Sequence, residues 1–119
     1  MRLLIAEDQS MLRDAMATLL LMEDSIDEVL QAKNGKEAMD ILVDSSIDVA
    51  ILDIEMPEAT GLDVLEFIRN NGISCKVIIV TTFKWAGYFE RVIKNNVDAY
   101  VLKDRSIDEL MKIIEEQVR

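Results

Sequence analysis

Apolar residues in this chain fall into two alternating patterns. Five short runs have the length of strands: Leu3–Ala6, Val29–Ala32, Val49–Leu52, Val77–Val80 and Ala99–Leu102. Most are apolar nearly throughout, as suits parallel strands covered on both faces. The second run follows the polar pair Asp27 and Glu28, which predicts an edge strand. After each run, apolar residues recur at helical spacing. Leu12, Ala15, Met16 and Leu19 form one stripe, and Ala38, Ile41 and Leu42 a second. Leu62, Leu65 and Ile68 form a third, and Tyr88, Phe89, Val92 and Ile93 a fourth. Ile107, Leu110, Met111, Ile114 and Val118 form the fifth and clearest. Asn34 with Glu37, and Ser106 with Glu109, have the spacing of capping boxes that open a helix. Asn71-Gly72 is a usual helix ending.

A strand followed by a helix, five times over, predicts a parallel sheet with right-handed crossovers and helices on both faces. At this size the expected α/β architecture is the flavodoxin-like (βα)5 doubly wound sandwich, with its five strands in the order 2-1-3-4-5. One proline, four glycines and no repeat or low-complexity tract leave no mark of an internal boundary, so residues 1–119 read as one domain.

Composition narrows the function. The net charge of -10 argues against nucleic-acid binding by this chain, because neutralising phosphates needs clustered Lys and Arg. It argues equally against an anionic membrane surface, while leaving room for cations or basic partners. Leu19–Met22, the densest apolar stretch of the first helix, is far too short to span a bilayer. The single cysteine, Cys75, excludes an internal disulfide, fits a reducing cytoplasm and reads as a small buried hydrophobe. No histidine occurs, which removes every mechanism built on a His base, nucleophile or ligand.

In open α/β sheets the site lies beyond the carboxyl ends of the strands. Glu7 and Asp8 follow the first run; Asp53, Ile54, Glu55, Met56 and Pro57 follow the third. Thr81 and Thr82 follow the fourth, and Lys103 the fifth. Singly, these are ordinary: a cap or turn acid, a strand threonine, a solvated lysine. In the expected strand order they converge on one edge of the sheet. Carboxylates gathered there repel one another, and a hard divalent cation with oxygen ligands relieves that. A nucleophilic carboxylate, a cation, an ammonium and a hydroxyl are the requirements of phosphoryl transfer.

The pattern Ala6-Glu7-Asp8, Leu52-Asp53-Ile54-Glu55-Met56-Pro57, Gly61, Val80-Thr81-Thr82 and Tyr100-Val101-Leu102-Lys103 resembles the receiver domain of two-component response regulators, over the whole chain. The Lys103-Asp104 ending resembles the NarL/FixJ subfamily, and Thr81-Thr82-Phe83 with Gly87-Tyr88-Phe89 resembles DesR-type regulators. The resemblance implies a role for each matching position. Asp53 would be the phosphoacceptor, and Asp8 the direct ligand of Mg²⁺ (or Mn²⁺), with Glu7 acting through water and Glu55 through its backbone carbonyl. Thr81 would be the switch hydroxyl, Lys103 the lysine that pairs with the phosphoryl group, and Tyr100 the switch aromatic. The side chains of Glu55 and Phe83 would tune dephosphorylation. The missing proline after Lys103 leaves the cis peptide usual in that loop unassured.

The function implied is a switch rather than an enzyme acting on other molecules: it catalyses its own phosphorylation and dephosphorylation. The phosphoryl donor would be a sensor histidine kinase or acetyl phosphate. The output would be a homodimer controlling transcription through a helix-turn-helix DNA-binding domain not present in residues 1–119. Leu20 and Leu21 beside the stripe of the first helix, and Ile113 off the stripe of the fifth, are candidates for the dimer face. Phe83 and Trp85 are candidates for a second contact surface. Rival readings are a haloacid-dehalogenase-like phosphatase with an Asp nucleophile, matched by the Asp53–Glu55 spacing, and a stand-alone protein-binding receiver. A flavodoxin is disfavoured because no phosphate loop follows the first run.

Overall fold

The structure is a computed structural model describing residues 1–81, 97–102 and 106–118. Its elements are β1 (Arg2–Ala6), α1 (Ser10–Leu21), β2 (Glu28–Ala32), α2 (Gly35–Asp44), β3 (Val49–Asp53), α3 (Gly61–Asn70), β4 (Lys76–Thr81), β5 (Ala99–Leu102) and α4 (Ile107–Gln117). All four strand pairings are parallel, and the order is β2-β1-β3-β4-β5. This is the expected architecture, and β2 is the expected edge. The stripe at Tyr88, Phe89, Val92 and Ile93 lies outside the described residues, so α4 is the fifth helix expected from the sequence.

The sheet's period of two divides the core. Leu4, Ala6, Ala50, Leu52, Val77 and Ile79 pack on one face with α2 and α3. Leu3, Ile5, Val49, Ile51, Ile78 and Val80 pack on the other with α1 and α4. Central β3 is buried at every position, whereas β2 has two exposed residues, Glu28 and Gln31. No helix among the described residues is long and apolar enough to cross a membrane.

Helix α1 is turned relative to the stripe expected from its sequence. Its buried residues are Ala17 and Leu20; Leu19 is 44% exposed and Ala15 is also exposed. With leucine at 19, 20 and 21, periodicity alone does not choose which one faces the sheet. The small Ala17 beside Leu20 allows the helix to approach closely. Leu20, at 0% exposure, is therefore core and not part of any dimer face.

Side chains fix the element ends. Asn34 accepts the Glu37 N–H at 2.8 Å, while the Glu37 carboxylate reaches past the cap to the Lys33 N–H at 3.1 Å. Ser106 accepts the Glu109 N–H at 3.2 Å. Thr60 and Asp63 make a reciprocal capping box on α3, absent from the expectations above. At the other end of α3, Gly72 takes φ of 63°, and the N–H groups of Gly72 and Ile73 bond to the carbonyls of Arg69 and Ile68.

Acids set just before the strands tie down the amino-terminal end of the sheet. Asp48 accepts the Arg2 N–H at 2.7 Å, and Asp98 accepts the Val77 N–H at 2.7 Å. Asp98 also pairs with Arg69 at 2.9 Å, and Arg69 in turn donates to the Cys75 carbonyl at 3.1 Å. Cys75 is a buried free thiol, as expected. Burial pushes its pKa up to about 11.

Candidate metal centre

Strands β1 and β3 are adjacent and in register, Ala6 opposite Leu52, so both end at the same level. Glu7 and Asp8 leave β1 there, and Asp53 closes β3. Glu7, Asp8 and Asp53 each offer a carboxylate oxygen, and these atoms all lie within 4.8 Å of one another. Glu7 is 2% exposed and Asp53 6%, while Asp8 is open to solvent. Two carboxylates are thus buried at the sheet's end, and the third beside them is open to solvent. Below them, a void of about 10 Å³ is walled by Ile5, Ala6, Met16, Ile51 and Val80.

The surrounding turns are held by backbone bonds. The Glu7 N–H donates to the Ala32 carbonyl at 3.0 Å, and the Gln9 N–H donates to the Glu7 carboxylate at 3.3 Å. Arg13 donates to the Glu7 carbonyl at 2.8 Å. After β3, Ile54 and Met56 are buried and anchor the loop, leaving the Glu55 side chain exposed between them. The Glu55 N–H lies 3.4 Å from the Asp53 carboxylate. Gly61 closes the loop by donating to the Ile54 carbonyl at 3.0 Å. A Cβ at Gly61 would run into the carbonyl of Asp53, so the residue has to be glycine for the loop to fold back so tightly.

The donor set suits a hard divalent cation: carboxylate oxygens only, with one side open to water. Unit charges about 4 Å apart near a protein surface repel by roughly 4 kcal/mol, and a dication between the oxygens reverses that sign.

Thr81 ends β4, paired with Leu102 of β5; its side chain lies outside what the structure describes. Lys103, Phe83 and Trp85 lie outside the described residues. Tyr100 is half-buried on β5 against the α2–α3 core, and burial raises the pKa of its phenol. Arg13, outside the sequence expectations, stands four residues before Ala17 and seven before Leu20, on an inward stripe that the leucine-rich sequence of α1 does not single out.

A doubly wound parallel sheet with an acidic cluster at its carboxyl edge is the arrangement expected of a receiver-type domain. The description "Response regulator receiver domain" matches residues 3–115, and the chain belongs to that family. It is 46% identical to the transcriptional regulatory protein DesR of Bacillus subtilis, over 92% of this chain and 54% of DesR. A DNA-binding response regulator of the LuxR family from Staphylococcus aureus superposes with TM-score 0.95 at 49% identity, covering 99% of this chain and 98% of that one. The response regulator TrrA of Thermotoga maritima, solved in complex with Mg²⁺-BeF, superposes with TM-score 0.85 at 31% identity, covering 98% and 97%. These likenesses support the NarL/FixJ subfamily. The chain spans a little over half the length of the curated relatives it matches. Family membership sets aside the phosphatase and flavodoxin readings.

Proposed function

We propose that this receiver domain takes a phosphoryl group onto Asp53 in a reaction that needs a divalent cation. The observation that carries the reading is the meeting of Glu7, Asp8 and Asp53, from two strand ends, within 4.8 Å. Asp8 and Asp53 would hold Mg²⁺ (or Mn²⁺) directly, with Glu55 through its backbone carbonyl and Glu7 through water. When bound, the ion neutralises charge on the transferring group. An Asp53 oxygen attacks phosphorus in line. The new P–O bond forms as the bond to the donor breaks, and the leaving histidine or acetate keeps the electron pair. Later a water oxygen attacks phosphorus, the bond to Asp53 breaks, and the carboxylate and inorganic phosphate are released.

Thr81 and Lys103 would close on the phosphorylated carboxylate, with Tyr100 following, and bias a two-state equilibrium of the adjoining face. The partners are a sensor histidine kinase and a second copy of this chain. Leu21 on α1, 49% exposed, and the half-buried Ile113 on α4 are the dimer candidates that remain. DNA would be engaged through a further domain, in the cytoplasm, and catalysis would stop at the chain's own phosphorylation cycle.

Intact-mass measurement after exposure to acetyl phosphate and Mg²⁺ tests the reading. One added phosphoryl group is expected on the parent chain, and none after chelation or in Asp53→Ala. Equal labelling of Asp53→Ala would overturn the assignment.

A further inference from the structure

We propose that Arg13 is a positioning residue for the acidic cluster, fixing the turn that carries Glu7 and Asp8 so that they can take a divalent cation. This rests on the cation reading above and deepens it.

Arg13 stands on α1 in line with the buried Ala17 and Leu20. A charge at the head of an inward stripe costs stability unless its donors are taken up. Two acceptors do this, one in the turn between β1 and α1 and one on β2. The guanidinium Nη1 donates to the Glu7 carbonyl at 2.8 Å, and Nε donates to the Gln31 side-chain oxygen at 3.2 Å on edge strand β2. The Arg13 N–H also donates to the Gln9 carbonyl at 2.9 Å. Both ends of Glu7 are thereby held: its N–H by Ala32 of β2, its carbonyl by the guanidinium.

The chemistry follows from one peptide unit. The Glu7 carbonyl lies in the same plane as the Asp8 N–H. Fixing that carbonyl fixes the plane, and the plane sets the direction from which the Asp8 side chain leaves the backbone. Asp8 is the exposed member of the cluster, and it follows directly on the carbonyl that Arg13 holds. The fork of Arg13 reaches the turn and β2 together, a span that the single ammonium of lysine does not reproduce.

The sign of the effect separates positioning from charge. A nearby positive charge by itself opposes cation binding, so its removal tightens binding. A positioning residue does the reverse. Mn²⁺ is the probe, with free ion counted from its paramagnetic resonance signal, alongside thermal unfolding in chelator. Arg13→Gln should weaken Mn²⁺ binding about tenfold, the low end of what partners behind metal ligands contribute. Arg13→Lys should weaken it less, and so should Gln31→Ala, at an exposed position on edge strand β2.

With acetyl phosphate, the Mg²⁺ concentration giving half-maximal labelling should rise in Arg13→Gln, while the rate at saturating Mg²⁺ stays near the parent's. A purely structural role would lower the unfolding temperature and leave Mn²⁺ binding alone. Equal or tighter binding by Arg13→Gln, or by both Arg13→Lys and Gln31→Ala should Arg13→Gln not fold, overturns the role of Arg13 alone. A parent chain that binds no Mn²⁺ overturns the cation reading and this inference with it.

Discussion

Cys75 shows how far one residue's surroundings depart from those of a free side chain. Its thiol is buried between the end of α3 and the start of β4, 3.3 Å from the Lys76 carbonyl. Burial disfavours the thiolate and moves the pKa from 9.0 to about 11; a backbone bond from Ala50 and the nearby Arg69 pull weakly the other way. The folded state therefore holds the thiol proton more tightly than the unfolded chain does. That contribution to stability is complete below about pH 9 and is lost as pH rises toward 11. At full loss it is on the order of 3 kcal/mol. Cys75→Ala removes the titration along with some packing. The stability advantage of the parent over Cys75→Ala should therefore shrink steadily between about pH 9 and about pH 11 in urea unfolding, the window set by that shift. A gap that stays constant across this range would mean that the thiol titrates as it does in water.

The elements show what patterning fixes and what it leaves open. Five apolar runs became five strands, four of them extended by a residue at one or both polar ends and the fifth unchanged, because continuous Val, Ile and Leu suit strands covered on both faces. Helix α1 was less legible: with leucines at 19, 20 and 21 the stripe fits more than one rotation, and packing against β1 selected Ala17 and Leu20. The acidic cluster was legible because its members stand at strand ends, where topology alone brings them together. The ties at the opposite end were not, since an aspartate before a strand looks like any turn residue.

Those ties are nonetheless structural. Asp98 accepts the Val77 N–H at 2.7 Å and pairs with Arg69 at 2.9 Å, joining β4, β5 and α3 at one carboxylate. It is 20% exposed, so water only partly replaces it. Asp98→Ala leaves the Val77 donor and the Arg69 charge to find new partners, and should cost about 2 kcal/mol in urea unfolding. Asp63→Ala, at the exposed capping box of α3, should cost less, about 1 kcal/mol. The reverse order would place the main restraint on α3 at its cap.

At the scale of the molecule, charge and apolar surface oppose each other. Two copies at a net charge of -10 repel, and a phosphoryl group on Asp53 adds to the repulsion. The dimerisation proposed above would then have to come from a change of shape that favours an apolar contact. Helix α1 and the residue that caps it offer the apolar groups for one: Met11 is 86% exposed, Leu19 44%, Leu21 49% and the C-cap Met22 75%. It packs beside α4 on one side of the sheet, while Val43, 67% exposed, belongs to α2 on the other. Sedimentation velocity with acetyl phosphate and Mg²⁺ should show the parent moving from monomer to dimer. Leu21→Glu and Ile113→Glu should stay monomeric although Asp53 is labelled, and Val43→Glu should dimerise like the parent. Raising the salt concentration should strengthen the dimer, because screening weakens the repulsion and leaves apolar burial in place. A dimer that dissolves with salt, or one that survives both glutamates, would require a polar interface elsewhere on the domain.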